Sequence, residues 1–188
     1  MRLFVAIDLP GPMREKLAAL ITRLKRELTG PKWVRPEGVH LTLRFLGEVG
    51  EPDLPRLRTA LGTIADGSGR HVDVSVEGLG QFPERGRPRV LWIGLHEPGG
   101  MLAALQRRVE QAVRSAALPG IKDEEKEFRP HLTLARLGEA NLSAAIRILI
   151  ERQPLESLGS FQVSAVTLFQ SLLGPGGAQY RVIEVYPL

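Results

Sequence analysis

The chain of 188 residues can bury a sizeable core, and its length fits one domain or two small, closely packed lobes. It contains no cysteine, which excludes a disulfide framework, thiolate catalysis and zinc sites with sulfur ligands. The net charge of +4 is modest and comes mainly from arginine, so it permits an anionic partner but fits an ordinary solvated surface equally well.

The distribution of apolar residues predicts a cytoplasmic protein. No apolar run is long enough to cross a bilayer, and Asp8 interrupts the apolar start too early for the core of a signal peptide. We therefore expect no membrane association, and nothing in the sequence implies an obligate protein partner.

The first half of the chain predicts alternating strands and helices. Residues 2–8 form an apolar, β-prone run that ends at a Pro-Gly-Pro breaker. The tetrapeptide His-Leu-Thr-Leu at residues 40–43 lies on the next predicted strand, and residues 72–76 alternate as in a half-buried strand. Asp53 is suited to cap the second of two helices. Apolar side chains recur at helical spacing at Met13, Leu17, Leu20, Ile21, Leu24 and Leu28, and again at Leu54, Leu57, Leu61 and Ile64.

The second half repeats this order at an offset of about ninety residues, which marks an internal duplication. A short apolar strand at residues 91–95 precedes a turn and a helix, and His-Leu-Thr-Leu recurs at residues 131–134. Asn141 or Ser143 is suited to cap the next helix, and strands are predicted over residues 161–169 and 180–186 around a Gly-Pro-Gly-Gly turn. The helices bury Leu102, Leu105, Val109, Ala112 and Val113, and then Ile146, Leu149 and Ile150.

Two such units predict an α+β fold with two similar lobes. Each lobe is expected to be an antiparallel sheet with helices on its outer face, and pseudo-two-fold symmetry relates the lobes around a central cleft. No Ser-, Gly- or Pro-rich linker separates the halves. Residues 1–188 are therefore predicted to form a single bilobal domain, with repeat halves of approximately 1–85 and 86–188.

The repeated tetrapeptide supplies the candidate chemistry. Side chains alternate across a strand, so His40 and Thr42 point to one face while the two leucines point to the other. His131 and Thr133 repeat this arrangement. If the leucines pack beneath helices and the repeat symmetry holds, two imidazoles and two hydroxyls meet across the cleft.

Such a set of groups suits hydrolysis of a phosphodiester without a metal or another cofactor. One imidazole can take a proton from the attacking water while the other gives a proton to the leaving oxygen. Threonine hydroxyls can donate hydrogen bonds to the non-bridging oxygens. A single histidine on a half-buried strand is usually structural, but two at equivalent places of a repeat indicate a function.

The sequence resembles the 2H phosphoesterase superfamily, which is defined by two His-x-Thr/Ser-x motifs. Within it, the chain is similar to the bacterial and archaeal RNA 2′,3′-cyclic phosphodiesterases, long called 2′-5′ RNA ligases. The resemblance covers nearly the whole chain and is carried by residues 2–7, 40–49, 88–92, 128–136 and 172–180.

This resemblance implies a bilobal fold in which the two motifs face each other across a groove. It also implies that the substrate is RNA with a 2′,3′-cyclic phosphate end and that the product is a 2′-phosphate. His40 would then be the proton donor to the leaving 3′ oxygen, and His131 would be the base that activates water.

The resemblance also assigns the groups that bind the phosphate. Thr42 and Thr133 would hold it, and Arg136 resembles the family's substrate-binding cation, with Arg129 as a weaker candidate. Because the reaction is reversible, a 5′ hydroxyl can replace water, which implies a minor 2′-5′ ligation activity without ATP.

The remaining histidines and aromatic residues are predicted to be structural. His71 and His96 lie at strand edges without a matching neighbour and are expected on the surface. The Gly-, Pro- and Arg-rich segment 83–89 predicts a loop, either mobile and suited to guiding RNA or simply solvated. Core packing is expected for four aromatic residues that also offer a face for stacking on a base: Trp33, Phe45, Phe82 and Trp92.

Two other function classes remain open. A metal-dependent phosphodiesterase needs carboxylates that converge on the histidines, but Glu37 and Glu48 do not share a motif face with them at ligand spacing. A non-catalytic RNA-binding module would use the groove and the arginines without turnover. A chelator test addresses the first alternative, and steady turnover would exclude the second.

Overall fold

Two antiparallel sheets and four helices make up the part of the chain that the computed structural model describes, residues 1–65, 71–122, 127–138, 142–152, 157–174 and 177–188. The helices are α1 (Gly11–Glu27), α2 (Leu54–Gly62), α3 (Met101–Ser115) and α4 (Ser143–Arg152). The strands are β1 (Arg2–Ile7), β2 (Lys32–Trp33), β3 (Leu41–Glu48), β4 (Val72–Phe82), β5 (Val90–His96), β6 (His131–Arg136), β7 (Ser157–Val163), β8 (Ala165–Gly174) and β9 (Gly177–Pro187).

The two sheets exchange strands between the halves of the sequence. The first sheet has the order β3-β1-β8-β9 and the second has the order β2-β6-β5-β4-β7. All of their pairings are antiparallel, so the predicted α+β class is confirmed. Strands β2 and β4 come from the first repeat half but lie in the second sheet, whereas the last two strands complete the first sheet.

The single strand predicted over residues 161–169 is wrong. Strand β7 ends at Val163 and pairs with β4, while β8 begins at Ala165 and pairs with β1 and β9 in the other sheet. Burial explains the difference, because β7 alternates buried and exposed residues as an edge strand does, whereas residues 166–169 are buried on both faces. The continuous apolar run concealed the break at Ser164.

The helices bury most of the predicted apolar positions, although Leu54 and Ile150 are only half-buried, and the helix ends differ from the prediction. Asp53 occupies the position before α2 without capping it, since its carboxylate binds Arg56 at 2.6 Å instead. Ser143 is the first residue of α4, and Asn141 lies outside the described residues. The residues buried in the helices are Met13, Leu17, Leu20, Ile21 and Leu24 in α1, Leu57 and Leu61 in α2, Leu102, Leu105, Val109, Ala112 and Val113 in α3, and Ile146 and Leu149 in α4.

One large apolar core holds the sheets and helices together, and a smaller cluster lies apart from it. The motif leucines Leu41, Leu43, Leu132 and Leu134 belong to the large core, as predicted. Strand β1 contributes Leu3, Val5 and Ile7 to that core, while its alternate residues Phe4 and Ala6 form the smaller cluster with Phe169. Strand β1 is therefore buried on both faces, and its second face supports the site described below.

A buried ion pair joins the first sheet to a helix from the second half of the sequence. Nε of Arg44 in β3 lies 2.9 Å from Oε2 of Glu110 in α3, and the two side chains are only 5% and 15% exposed. Arg44 also donates to the carbonyl oxygen of Lys122. This contact fixes the position of α3 against the first sheet.

The longest helix of the described ranges is α1, with 17 residues. None of the described helices combines the length and the apolar character that a membrane span requires.

Candidate active site

Each motif histidine forms a hydrogen bond from its ring to the backbone carbonyl two residues before it. His40 lies immediately before β3, and its Nδ1 donates to the carbonyl oxygen of Gly38 at 2.9 Å. His131 begins β6, and its Nδ1 donates to the carbonyl oxygen of Arg129 at 2.7 Å. A carbonyl oxygen can only accept, so each neutral ring carries its proton on Nδ1. The lone pair of Nε2 is then available to accept a proton or a hydrogen bond.

Aromatic rings from the first sheet surround His40. The Phe4 centroid lies 4.7 Å from the imidazole centroid, and the Phe169 centroid lies 6.1 Å from it. Tyr180 approaches edge-on at 5.0 Å and 90°. The sequence had no local signal for these three neighbours, because they reach His40 only through strand pairing.

A matching set of rings surrounds His131 in the second sheet. Phe82 meets the imidazole edge-on at 4.9 Å and 88°, and Trp92 lies 6.2 Å from it. Core packing was therefore the wrong expectation for Phe82 and Trp92. It was also wrong for Phe45, which is 59% exposed, whereas Trp33 does pack against the main core.

Gly80 makes room for the Trp92 ring. The two residues are paired across β4 and β5, and a Cβ on Gly80 would lie 2.2 Å from the indole carbons. The second aromatic set therefore requires glycine at this position, because any side chain would displace the ring that lies beside His131.

The motif threonines are half-buried, as are the two histidines. Thr42 is opposite Ala6 in the first sheet, and Thr133 is opposite Trp92 in the second. Among the described residues, neither hydroxyl has a hydrogen-bond partner. Both are available to donate to a bound anion.

Burial lowers the pKa of both imidazoles. The pKa of His40 is lowered from 6.5 to about 4, chiefly by desolvation and to a smaller extent by the charges of Arg136 and His131, against the opposing effects of the Gly38 carbonyl and Asp8. Desolvation also lowers the pKa of His131 below 6.5, against the Arg129 carbonyl. Strand β3, which follows His40, contacts β6, which contains His131 and Arg136, and the charges of these two residues act on the His40 ring.

The two candidate arginines have different surroundings. Arg129 forms ion pairs with Glu84 and Glu127, so its guanidinium is already neutralised and its clearest contribution is the carbonyl that anchors His131. Arg136 is exposed at the end of β6 and has no ion pair within the described ranges. Arg136 is thus the better placed cation for an anionic ligand.

The other residues singled out from the sequence are mostly exposed on the surface. His71 and His96 are exposed, as predicted. In segment 83–89 most side chains are exposed, and Arg87 donates to the carbonyl oxygen of Gly138 at 3.4 Å. Within the described part of the chain, no three His, Asp or Glu side chains converge as metal ligands do.

The pKa shifts predict an acid-shifted pH profile for kcat/KM if one imidazole acts as acid and the other as base. Both rings favour the neutral form near pH 7, so raising the pH removes the proton that the acid needs, and the alkaline limb should lie below 6.5. The acid limb should lie near 4, because the lower pKa of the pair sets the acid limb whichever ring is the acid. A bound phosphate anion favours imidazolium, so the kcat profile should move to higher pH. Steady-state kinetics across this range test both statements, and a kcat/KM alkaline limb well above 7 would contradict them.

Comparison with known proteins identifies the family. The sequence model described as LigT like Phosphoesterase matches the chain twice, over residues 7–92 and 93–180. The chain belongs to the LigT-like phosphoesterase family. Each match contains one His-Leu-Thr-Leu tetrapeptide, which confirms the family resemblance and the twofold repeat of the sequence.

Members of the LigT-like family from several organisms are similar over their full length. A protein of Archaeoglobus fulgidus named RNA 2′,3′-cyclic phosphodiesterase is 36% identical over 186 residues, which cover 99% of each chain. The crystal structure of TT0787 of Thermus thermophilus has a TM-score of 0.79 at 32% identity and covers 100% of this chain and 98% of its own. Escherichia coli LigT complexed with 3′-AMP has a TM-score of 0.75 at 27% identity, with coverages of 100% and 97%.

Proposed function

We propose that this protein hydrolyses the 2′,3′-cyclic phosphodiester ends of RNA and leaves a 2′-phosphomonoester. The observation that carries the proposal is the pair of imidazoles, each with Nδ1 bound to a backbone carbonyl. Two residues after each imidazole is a threonine whose hydroxyl has no partner among the residues that the structure describes. Two full-length relatives are named RNA 2′,3′-cyclic phosphodiesterase, which supports hydrolysis of the cyclic phosphodiester. An RNA substrate and the lack of cysteine fit a cytoplasmic location.

In the proposed reaction the two Nε2 atoms have opposite roles. Nε2 of His131 accepts a proton from water as the new P–O bond forms, and Nε2 of His40 donates a proton to O3′ as the P–O3′ bond breaks on the opposite side. The 2′ oxygen keeps the phosphate, which fixes the product as a 2′-phosphate with a free 3′ hydroxyl.

Because the pKa of His40 is low, we propose that substrate binding helps to protonate this ring before it acts as the acid. Burial keeps the free ring neutral near pH 7, but an acid must start protonated. The phosphate anion of the bound substrate offsets the charge of Arg136, so substrate binding is coupled to proton uptake by His40. Thr42 and Thr133 then donate to the non-bridging oxygens, where charge is spread in the transition state.

The same arrangement of groups also permits ligation when another nucleophile replaces water. A 5′ hydroxyl of a second RNA in place of water would leave a 2′-5′ linkage, without ATP. Water is far more abundant than RNA ends, so we propose this as a minor activity.

Arg136→Ala is expected to raise KM because it removes the positive charge proposed to bind the phosphate. The defect should shrink as salt rises, because salt already screens the wild-type interaction, and Arg136→Lys should recover part of it. The measurement is KM against salt concentration for both variants. Arg152→Ala, which changes an exposed arginine at the end of α4, is the matched control. If Arg136→Ala is indistinguishable from that control at every salt concentration, another group binds the phosphate, and Arg129 is the next candidate.

One experiment separates the proposed function from its two alternatives. The protein is incubated with an oligonucleotide ending in a 2′,3′-cyclic phosphate in excess EDTA, and the product is identified by phosphorus NMR. We expect steady turnover to a 2′-phosphate. Loss of activity that one divalent metal restores would indicate a metal-dependent enzyme, binding without turnover would indicate an RNA-binding module, and a 3′-phosphate would reverse the assigned geometry.

A further inference from the structure

A cavity of about 550 Å³ opens beside His40 and continues away from the two motifs. Gly38, whose carbonyl anchors His40, and Tyr180, whose ring meets His40 edge-on, line one part of it. Trp33, Lys32 and Arg136 line another part. The volume falls in the range of small-molecule binding pockets and is sufficient for one nucleotide.

Two cations lie side by side in this cavity. Lys32 in β2 is directly opposite Arg136 in β6, so their Cβ atoms are separated by the short distance of a cross-strand pair, about 5 Å. Like charges in this position destabilise a sheet unless an anion lies between or beside them. Neither side chain has an ion pair or a hydrogen bond within the described ranges, and Glu37, which also lines the cavity, pairs with neither of them.

The cavity also offers aromatic surfaces. Trp33 is half-buried and packs against the main core, which restricts the motion of its ring, and Tyr180 is a second half-buried aromatic residue of the lining. Aromatic faces combined with unpaired cations are the usual means by which proteins bind single-stranded nucleic acid. The cavity therefore fits a nucleotide better than a free inorganic anion or an apolar ligand.

We propose that this cavity binds the nucleotide that precedes the terminal one in the RNA, with the linking phosphate on Lys32 and the base on Trp33. The inference rests on the proposed function, in which Arg136, Thr42 and Thr133 hold the reacting cyclic phosphate beside the two histidines. The short separation of Lys32 and Arg136 then matches two neighbouring phosphates of one strand. A nucleoside 2′,3′-cyclic phosphate lacks that second phosphate and base, so the cavity makes the enzyme prefer oligonucleotide ends.

The test compares two substrates that differ only in chain length, an oligonucleotide with a 2′,3′-cyclic end and the corresponding nucleoside 2′,3′-cyclic phosphate. Lys32→Ala should lower kcat/KM for the oligonucleotide about three- to tenfold and reduce its salt dependence by about one unit of slope. Trp33→Leu should lower it about 5- to 100-fold, and Trp33→Phe should restore much of the loss. Both variants should leave the nucleoside substrate unchanged within about twofold.

Two control variants share the chemistry of the tested residues but lie elsewhere. Lys25→Ala removes an exposed cation from the last turn of α1, so it should not affect either substrate. Phe45→Leu removes the exposed aromatic ring on β3, which does not line the cavity, so it should not affect either substrate. Thermal unfolding of Trp33→Leu and Trp33→Phe shows whether either variant is misfolded.

The outcomes distinguish this inference from the function on which it rests. If the wild-type protein turns over neither substrate, the proposed function fails. If it turns over both but Trp33→Leu loses equally on the two substrates, or Lys32→Ala behaves as Lys25→Ala does at every salt concentration, the cavity does not hold the preceding nucleotide. An oligonucleotide-specific loss in Phe45→Leu, without one in Trp33→Leu, would also overturn it by directing the chain to the other side of the site.

Discussion

Replacing either motif histidine with alanine is expected to lower kcat by about 10²- to 10⁴-fold, the usual contribution of a positioned general acid or base. The two variants should differ in their pH dependence. Without His131 the acid limb of the profile should disappear, because no base remains to be protonated. Without His40 the alkaline limb should disappear, because no acid remains to be deprotonated. Rates measured across the pH range on a cyclic phosphate substrate check both statements.

The control for these variants is His96→Ala, which removes an exposed histidine at the end of β5 and should leave kcat unchanged. Circular dichroism and thermal unfolding establish that each variant is folded. A folded His40→Ala or His131→Ala protein with near wild-type kcat would contradict the two-histidine mechanism. Loss of the opposite limb in each variant would exchange the roles of acid and base.

Glu110→Ala is expected to lower the free energy of unfolding by about 3–5 kcal/mol, because it leaves the buried guanidinium of Arg44 without its carboxylate. The double variant Arg44→Met/Glu110→Leu should recover most of that loss, since it removes both charges and keeps most of the volume. Denaturant unfolding of the single and double variants measures both effects.

The matched control is Glu151→Ala, which breaks the exposed pair between Arg147 and Glu151 in α4 and should change stability little. A Glu110→Ala protein as stable as this control would show that the ion pair does not hold α3 against the first sheet. A double variant no more stable than the single one would show that the side-chain charges were not the cause.

The residues that carry the candidate chemistry could be predicted from the sequence because their signal is local and occurs twice. Period-two alternation placed His40 with Thr42 and His131 with Thr133, and the buried leucines of both motifs confirm the orientation of the strands. Helical spacing likewise gave the buried faces of the helices, since an amphipathic helix depends only on residues three and four apart.

The features that the sequence did not reveal depend on pairing between distant strands. Nothing local indicates that Phe169 and Tyr180 reach His40, or that the strand predicted over residues 161–169 divides between two sheets. The cap predicted at Asp53 failed for a different reason, because Arg56 competes for the same carboxylate. Local pattern therefore located the reacting groups, whereas the tertiary pairings determined their surroundings.

The exchange of strands also has a consequence for how the protein is made. Strand β1 is synthesised well before its partner β8, because Leu3 pairs with Gln170 and Phe4 pairs with Phe169. Until those residues have been synthesised, one edge of a strand with apolar residues on both faces has no partner, and such an edge is prone to aggregate. Pairing at this sequence distance is also slow. The nascent chain therefore cannot complete the first sheet until β8 and β9 have been synthesised, and β1 needs protection from aggregation until then.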